Sequence, residues 1–206
     1  MPNEIEFKLI IDPRDIRRLQ RHPFLAAHTR QKFPRQRLLS IYFDTPELTL
    51  HGRKIAVRLR RIGRNWLQTV KTEGKVEAGL HQRSEWEWRM AKNTLDFQPL
   101  PDVQLREFFA NEKLRQSLRP VFTTEFFRTR RLLAWPNGDV VEFVLDRGEI
   151  RAEGRSAPIC EIELELKSGA PERLFAIVSA LQQTVPLQPE NISKAERGYQ
   201  LVAQEN

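Results

Sequence analysis

The sequence holds a single cysteine, Cys160, in 206 residues, so no internal disulfide can form and a reducing compartment is expected. Histidine is scarce as well. His22, His28, His51 and His81 stand apart without metal-ligand spacing, which argues against a zinc site of the His/Cys type. No glycine-rich run of the P-loop or dinucleotide kind is present. No stretch approaches the roughly 18 apolar residues that a membrane span requires. The opening Met1-Pro2-Asn3-Glu4-Ile5-Glu6 has no apolar core of the signal-peptide type. These absences predict a soluble, cytoplasmic protein with no membrane partner. Internal repeats, low-complexity tracts and long linkers are also missing, and the length suits one domain, 1–206.

Charge is what the sequence has in abundance. Charged residues make up 30%, and 34 Lys+Arg against 27 Asp+Glu leave a net charge of +7. Such a protein attracts polyanions: nucleic acid, anionic membrane or phosphorylated small molecules. Composition alone does not choose among them.

The charges are ordered. Glu4 to Ile10, Ile55 to Arg60, Ser84 to Arg89, Val141 to Asp146 and Ile159 to Leu166 alternate apolar with charged or polar residues, the last most strictly. A period of two marks strands with one apolar and one charged face. Leu38 to Phe43, Trp66 to Lys71 and Val121 to Leu133 bring the set to about eight strands. Gly63-Arg64-Asn65 and Pro136-Asn137-Gly138-Asp139 read as hairpin turns. Helices are expected over Pro13 to Arg21, behind Asp12, and over Pro171 to Gln183, with a stripe of Leu174, Ile177, Val178 and Leu181. A third is expected over Ser193 to Ala203, where Ser193 and Glu196 fit a capping box. Pro101 to Leu118 reads as one or two helices, an insert near 92–118. Sequential hairpins predict an α+β chain with a mainly antiparallel sheet, and about eight strands suffice to close a barrel with helices outside it or at one mouth.

Residues two apart in a strand share a face. Glu4, Glu6 and Lys8 do so, as do Arg58 with Arg60, Thr69 with Lys71, and Glu85 and Glu87 with Arg83 and Arg89. Arg128 pairs in this way with Arg130, Glu142 with Asp146, and Glu161 with Glu163 and Glu165. One such strand is ordinarily just the wet face of a sheet. Three acidic pairs without an intervening base, Glu4/Glu6, Glu85/Glu87 and Glu161/Glu163, are harder to place in solvent, because carboxylates on one face repel unless a cation lies between them. Clustered carboxylates suit Mg²⁺ or Mn²⁺, and clustered guanidiniums suit phosphate. Together they make a phosphoryl-transfer site. Periodicity does not say whether the charged faces point into a barrel or out to solvent. Cys160 falls opposite the glutamates, and Trp66, Trp86, Trp88 and Trp135 fall opposite charged positions or near a turn, so packing is expected for all of them.

The ordered set of segments resembles the CYTH superfamily, the triphosphate tunnel metalloenzymes. Glu4-Ile5-Glu6-Phe7-Lys8 resembles its ExExK signature and Tyr42-Phe43-Asp44-Thr45-Pro46 its YFDTP strand end. Arg58-Leu59-Arg60, Thr69-Val70-Lys71, Glu85-Trp86-Glu87, Asp146, Glu161-Ile162-Glu163 and Ser193-Lys194 follow in the family's order. Gly79 to Arg83, Pro158 to Glu161 and Ser193 to Tyr199 are similar to the bacterial inorganic triphosphatase branch. Members of that branch often carry a helical CHAD domain after this one, which the 206 residues do not reach; the resemblance fits a stand-alone form and a shortened one equally.

The resemblance implies a closed eight-stranded antiparallel barrel, a tunnel with charged faces inward and helices outside and at one end. It implies hydrolysis of inorganic triphosphate to diphosphate and phosphate with Mg²⁺ or Mn²⁺, two ions. Glu4 and Glu6, helped by Glu161 or Glu163, would hold one ion. Glu87, with its neighbour Glu85, Asp146 and the other member of that pair would hold a second. Lys8, Arg58, Arg60, Lys71, Arg128 and Lys194 would grip the phosphates, with Arg83 and Arg130 as further grips. Glu6, Glu163, Lys8 and Lys71 would carry catalysis, and Glu142 and Glu165 would stand behind the ligands. Two alternatives stay open: an organic-triphosphate enzyme of the same fold, hydrolysing thiamine triphosphate or cyclising ATP, and a polyanion-binding module without turnover. The acidic pairs count against the module, so no nucleic-acid partner is expected.

Overall fold

The structure, a computed structural model, describes residues 3–203. In chain order the elements are β1 (Asn3–Ile11), a 3-10 turn (Pro13–Asp15), α1 (Ile16–Gln20), α2 (Pro23–His28), β2 (Thr29–Lys32), β3 (Gln36–Asp44), α3 (Thr49–Gly52), β4 (Ala56–Ile62), β5 (Asn65–Glu77) and β6 (Leu80–Met90). There follow α4 (Val103–Ala110), α5 (Glu112–Ser117), β7 (Arg119–Ala134), β8 (Val140–Ala152), β9 (Arg155–Ser168), α6 (Glu172–Gln182), β10 (Leu187–Pro189) and α7 (Lys194–Ala203).

Eight strands form a ring in the order β1-β6-β5-β4-β3-β7-β8-β9, closed by pairing of β9 with β1. Every pairing in the ring is antiparallel. The two short strands hang on it, β10 on the end of β1 and β2 on the end of β7. The tight links arise where the sequence predicts them. Gly63 and Arg64 join β4 to β5, with Gly63 at φ +59°, and Trp135 to Asp139 turns β7 into β8 through Gly138 at φ +91°.

The outward faces supply most of the core. Phe7, Leu9, Phe143, Leu145, Ile162 and Leu164 pack against Leu174, Ile177, Val178 and Leu181 of α6, together with Ile16, Leu19 and Leu25 from α1 and α2. Val57, Val70 and Trp86 pack against Phe97, Leu100 and Phe109, which belong to the segment between β6 and β7. Each fully buried side chain contributes about 1.5–3 kcal/mol. A one-residue slip of any strand would turn its apolar face into the tunnel, so the packing fixes the register.

A third cluster lies elsewhere. Leu38, Tyr42, Phe122, Phe126, Ile150 and Ile159 pack with Tyr199 and Leu201 of α7. In strand parity these residues fall with Ser40, Arg128, Asp146 and Glu161, on the charged face. The inward positions therefore turn apolar toward one end of the barrel, and α7 seats on them there.

Some local readings need correction. The expected helix from Pro13 to Arg21 splits into the 3-10 turn and α1, although Asp12 Oδ1 does accept from Arg14 N at 2.8 Å. Ser193 Oγ accepts from Glu196 N at 3.1 Å, but the Glu196 carboxylate does not return to complete a box; it pairs with His51 Nε2 at 3.1 Å. The short elements α2, α3, β2 and β10 are additions to the sequence reading.

Candidate active site

The charged inward faces enclose a cavity of about 600 Å³, and sequence position explains who lines it. Alternation brings in Glu4, Glu6 and Lys8 from β1, Arg58 and Arg60 from β4, Lys71 from β5, Arg83, Glu85 and Glu87 from β6, Arg128 and Arg130 from β7, and Glu163 and Glu165 from β9. Lys194 enters from the first residue of α7. Asp146 and Glu161 sit beneath this lining, fully buried. All the residues expected to hold metal or phosphate thus belong to one barrel interior.

Three groups can be distinguished within it. In the first, Asp146, Glu161 and Glu163 bring their oxygens within 4.8 Å of one another. Lys194 Nζ lies 2.8 Å from Asp146 Oδ2 and 2.9 Å from Glu163 Oε1, and also donates to Glu161. Arg128 bridges Asp146 and Glu163 at 2.6 and 2.7 Å, and Lys8 Nζ reaches Glu163 at 2.8 Å and Glu6 at 2.9 Å. In the second, Lys71 spans Glu4 and Glu85 at 2.9 and 2.5 Å, while Arg83 spans Glu4 and Glu6 at 3.0 and 2.8 Å. Glu4 is therefore joined to Glu85 through Lys71, while Glu6 links the two groups, through Arg83 to Glu4 and through Lys8 to Glu163. In the third, Arg58 Nε donates to Thr69 Oγ1 at 3.1 Å, with Glu85 and Glu87 at 3.5 and 3.8 Å. Arg60 Nε donates to Ser40 Oγ at 3.0 Å, and among the described residues no carboxylate pairs with Arg60 although it is only 7% exposed. Arg130 stands apart, 3.5 Å from Glu142, and Glu165 pairs with Lys167 at 2.6 Å.

Burial disfavours every one of these charges, and the neighbours decide which survive. For Glu163, burial is outweighed by Lys194, Lys8 and Arg128, which hold its carboxyl well below the ordinary range. Glu6 is also held down, against burial, chiefly by Lys8. Glu85 falls to about 2, because Lys71 and Arg58 overcome its burial. Lys8 and Lys194 move up for the converse reason, their acidic partners overcoming burial. Arg60 goes the other way: burial, then Arg58 and Arg128, bring it down to about 10. A guanidinium at that value is still positive at neutral pH; Glu87 acts on it in the opposite sense without outweighing burial, Arg58 and Arg128, so Arg60 is a buried cation that no carboxylate pairs with directly among the described residues. Glu165 is pushed up by burial.

Three buried carboxylates with converging oxygens are a hard-ligand set that fits a divalent ion such as Mg²⁺ or Mn²⁺. The donors are oxygens only, so a soft metal is a poor match.

The domain description of the CYTH family matches residues 2–199, nearly the whole chain. The chain belongs to the CYTH family. An inorganic triphosphatase from Haemophilus influenzae is 35% identical over 202 residues, covering 98% of this chain and 55% of that protein. The chain thus spans about half the length of that curated relative. Among solved structures, a putative adenylyl cyclase from Hippeastrum, described as having a dominant triphosphatase activity, matches with a TM-score of 0.66 at 17% identity, over 96% of this chain and 95% of that one. A putative adenylate cyclase from Bacillus halodurans matches with a TM-score of 0.59 at 18% identity, over 96% and 98%. At such identities the two structures support the fold.

In this CYTH barrel several contributors went unsingled in the sequence. Ser40 positions Arg60, and its place between Leu38 and Tyr42 on one strand face was the available signal. Phe126 presents its ring to Arg60, Arg128 and Lys194 at 5.6, 5.5 and 5.1 Å. Arg197 Nη1 donates to Glu161 Oε2 at 3.3 Å, one helical turn after Lys194. Its i+3 spacing from Lys194 placed it on the same helix face.

Proposed function

We propose that this chain hydrolyses inorganic triphosphate to diphosphate and phosphate inside the barrel, with divalent metal, Mg²⁺ or Mn²⁺, as two ions. The observation that carries the reading is Arg60. A buried guanidinium without a carboxylate, beside Arg58 and Arg128, is costly until an anion arrives. A small polyanion that fits a cavity of about 600 Å³ supplies that anion. The 35% identity to a protein named inorganic triphosphatase supports the choice of substrate.

Asp146, Glu161 and Glu163 would hold one ion, and the second would draw on Glu4, Glu6 and Glu85, whose charges Lys71 and Arg83 now share, and on Glu87 beside Arg58. When bound, the ions polarise phosphoryl oxygens and ease deprotonation of the attacking water. Arg58, Arg60 and Arg128 neutralise phosphate oxygens and align the chain, with Lys8, Lys194, Arg83 and Arg130 as further grips. Water adds to a terminal phosphorus as the bond to the bridging oxygen breaks, and Lys71 or Lys8 steadies the diphosphate that leaves. The apolar cluster beneath α7 narrows one end and limits water there. Residues 1–206 act in this reading as one unit, with the 92–118 insert bracing the barrel wall through Phe97 and Leu100 ahead of α4 and Phe109 within it. Nucleic acid and membrane play no part.

The test is phosphate release from a panel of tripolyphosphate, ATP and thiamine triphosphate with Mg²⁺ or Mn²⁺. The expected result is turnover of tripolyphosphate about 10-fold or more above the others, a difference of about 1.4 kcal/mol in barrier, and loss of turnover on chelation. Undiminished turnover in excess chelator, or a preference for an organic triphosphate, would reject the proposal.

A further inference from the structure

Lys194 sits at the centre of the densest charge in the barrel. Its Nζ contacts Asp146 Oδ2 at 2.8 Å and Glu163 Oε1 at 2.9 Å, and donates to Glu161 Oε1. These are the same three side chains whose oxygens converge within 4.8 Å. Its ammonium therefore does for three buried carboxylates what a bound cation would do.

We infer that Lys194 is a resident counter-cation that competes with divalent metal for Asp146, Glu161 and Glu163, and that metal entry releases it into the tunnel. The inference rests on the reading of these carboxylates as metal ligands. The same oxygens cannot serve both cations. A Mg²⁺ ion takes oxygens at about 2.0–2.1 Å, and two cations sharing one set of ligands repel strongly. The surroundings allow the exchange. Lys194 already lines the cavity, on an unbranched and flexible side chain. Glu161 keeps a partner after the exchange, because Arg197 holds its other oxygen at 3.3 Å. Arg197 also donates to Pro158 O at 2.8 Å, so the first turn of α7 stays fastened while the lysine moves. The released ammonium then adds to the cations that face a phosphate chain, so metal entry prepares the anion grip.

The two roles of Lys194 have opposite signs. Without metal, the lysine stabilises the barrel by separating three acids. With metal, it weakens binding. A residue that only gripped phosphate would do neither in the absence of substrate.

The experiment is calorimetric titration of Mn²⁺ alone, without substrate, into the whole chain and into Lys194→Met, with thermal melts in chelator alongside. The methionine variant is expected to bind Mn²⁺ roughly 10-fold or more tightly than wild type, a coupling of ordinary size, and to melt lower in chelator. Equal or weaker Mn²⁺ affinity in the variant would overturn the inference while leaving the metal site standing. No Mn²⁺ binding by either protein would instead reject the metal reading and the inference with it. Should the methionine variant not fold, lysine-labelled wild type titrated with Mg²⁺ gives the answer by NMR, with Lys194→Arg used for assignment. The Lys194 side-chain resonance is expected to shift as Mg²⁺ is added, and an unmoved resonance overturns the inference.

Discussion

Tyr199 donates its hydroxyl to Asp44 Oδ2 across 3.0 Å, fastening the last helix to the end of β3. Asp44 is fully buried and also accepts from Thr45 N at 2.7 Å, Leu50 N at 2.8 Å and His51 N at 2.9 Å. One carboxylate thus caps α3, ends β3 and seats α7. The Tyr42-Phe43-Asp44-Thr45-Pro46 segment that carries part of the family resemblance is, at its aspartate, a device of architecture. Removing the side chain would strand three backbone N–H groups and a phenol in a dry site. Asp44→Ala is expected to cost about 3–5 kcal/mol in urea unfolding, since hydrogen bonds to a charged group each contribute about 1.5–3 kcal/mol and do not simply add. A loss below about 1 kcal/mol would show that the network contributes little.

Arg60 should behave in the opposite way. It is buried, lacks an acidic partner among the described residues, and is pulled down to about 10 by burial, Arg58 and Arg128. Arg60→Met keeps most of the volume and removes a buried charge on which burial, Arg58 and Arg128 outweigh Glu87, so it should leave stability unchanged or raise it. Tripolyphosphate binding should weaken about 100-fold, from the loss of a charge-assisted contact in an enclosed site. Melting curves and calorimetry on the same preparation test both halves. A variant that melts lower and still binds normally would contradict the role given to Arg60.

Acid should reveal the tunnel carboxylates. Glu85 has a folded value of about 2 against an ordinary 4.5, its burial overcome by Lys71 and Arg58. A depressed carboxyl gives stability that is fully present above the ordinary value and is lost as pH falls toward the folded one. The loss should therefore run from about pH 4.5 down to about 2. Glu6 and Glu163, held down chiefly by Lys8 and by Lys194 respectively against burial, act in the same sense. Glu85→Gln should flatten the stability-against-pH curve in that window by about one proton. Chemical denaturation at several acid pH values measures the slope, and identical slopes for the two proteins would reject the pairing of Glu85 with Lys71 and Arg58.

The ring strands were legible because alternation is strict where one face meets apolar packing and the other meets charge. Ile159 to Leu166 could hardly be anything else. The direction of the charged face was not legible, because a wet sheet surface and a tunnel wall share one period; only the family resemblance supplied it. Partners inside the tunnel depend on cross-strand register, so the bridging of Glu4 to both Lys71 and Arg83 could not be read from positions 4, 71 and 83 alone. The apolar end of the barrel was hidden for a related reason. Phe122, Phe126 and Ile150 occupy inward positions that look, in sequence, like breaks in an alternating pattern. Elements of four to six residues, such as α2 and α3, are too short to show a helical period.

The seat of α7 gives the last prediction. Gly198 faces the ring of Phe122, and a Cβ added there would lie 2.2–2.5 Å from three of its carbons. The ring cannot readily yield, because Tyr42 stacks on it at 4.4 Å and Tyr199 meets its edge at 5.1 Å. Alanine ordinarily favours a helix over glycine by about 1 kcal/mol, so propensity alone predicts that Gly198→Ala stabilises. Overpacking of a dense core costs about 1–3 kcal/mol, and here it should win. The expected net effect is destabilisation, with α7 lifted from Phe122 and the Tyr199–Asp44 bond strained. A double-mutant cycle separates this from a general weakening of the helix. Phe122→Ala alone should cost about 3–5 kcal/mol through the cavity it leaves. In the Gly198→Ala, Phe122→Ala double variant the added methyl has room, so its cost should vanish and helix propensity should reappear as a small gain. Strict additivity of the two changes would mean that Gly198 is not held at that position by the Phe122 ring.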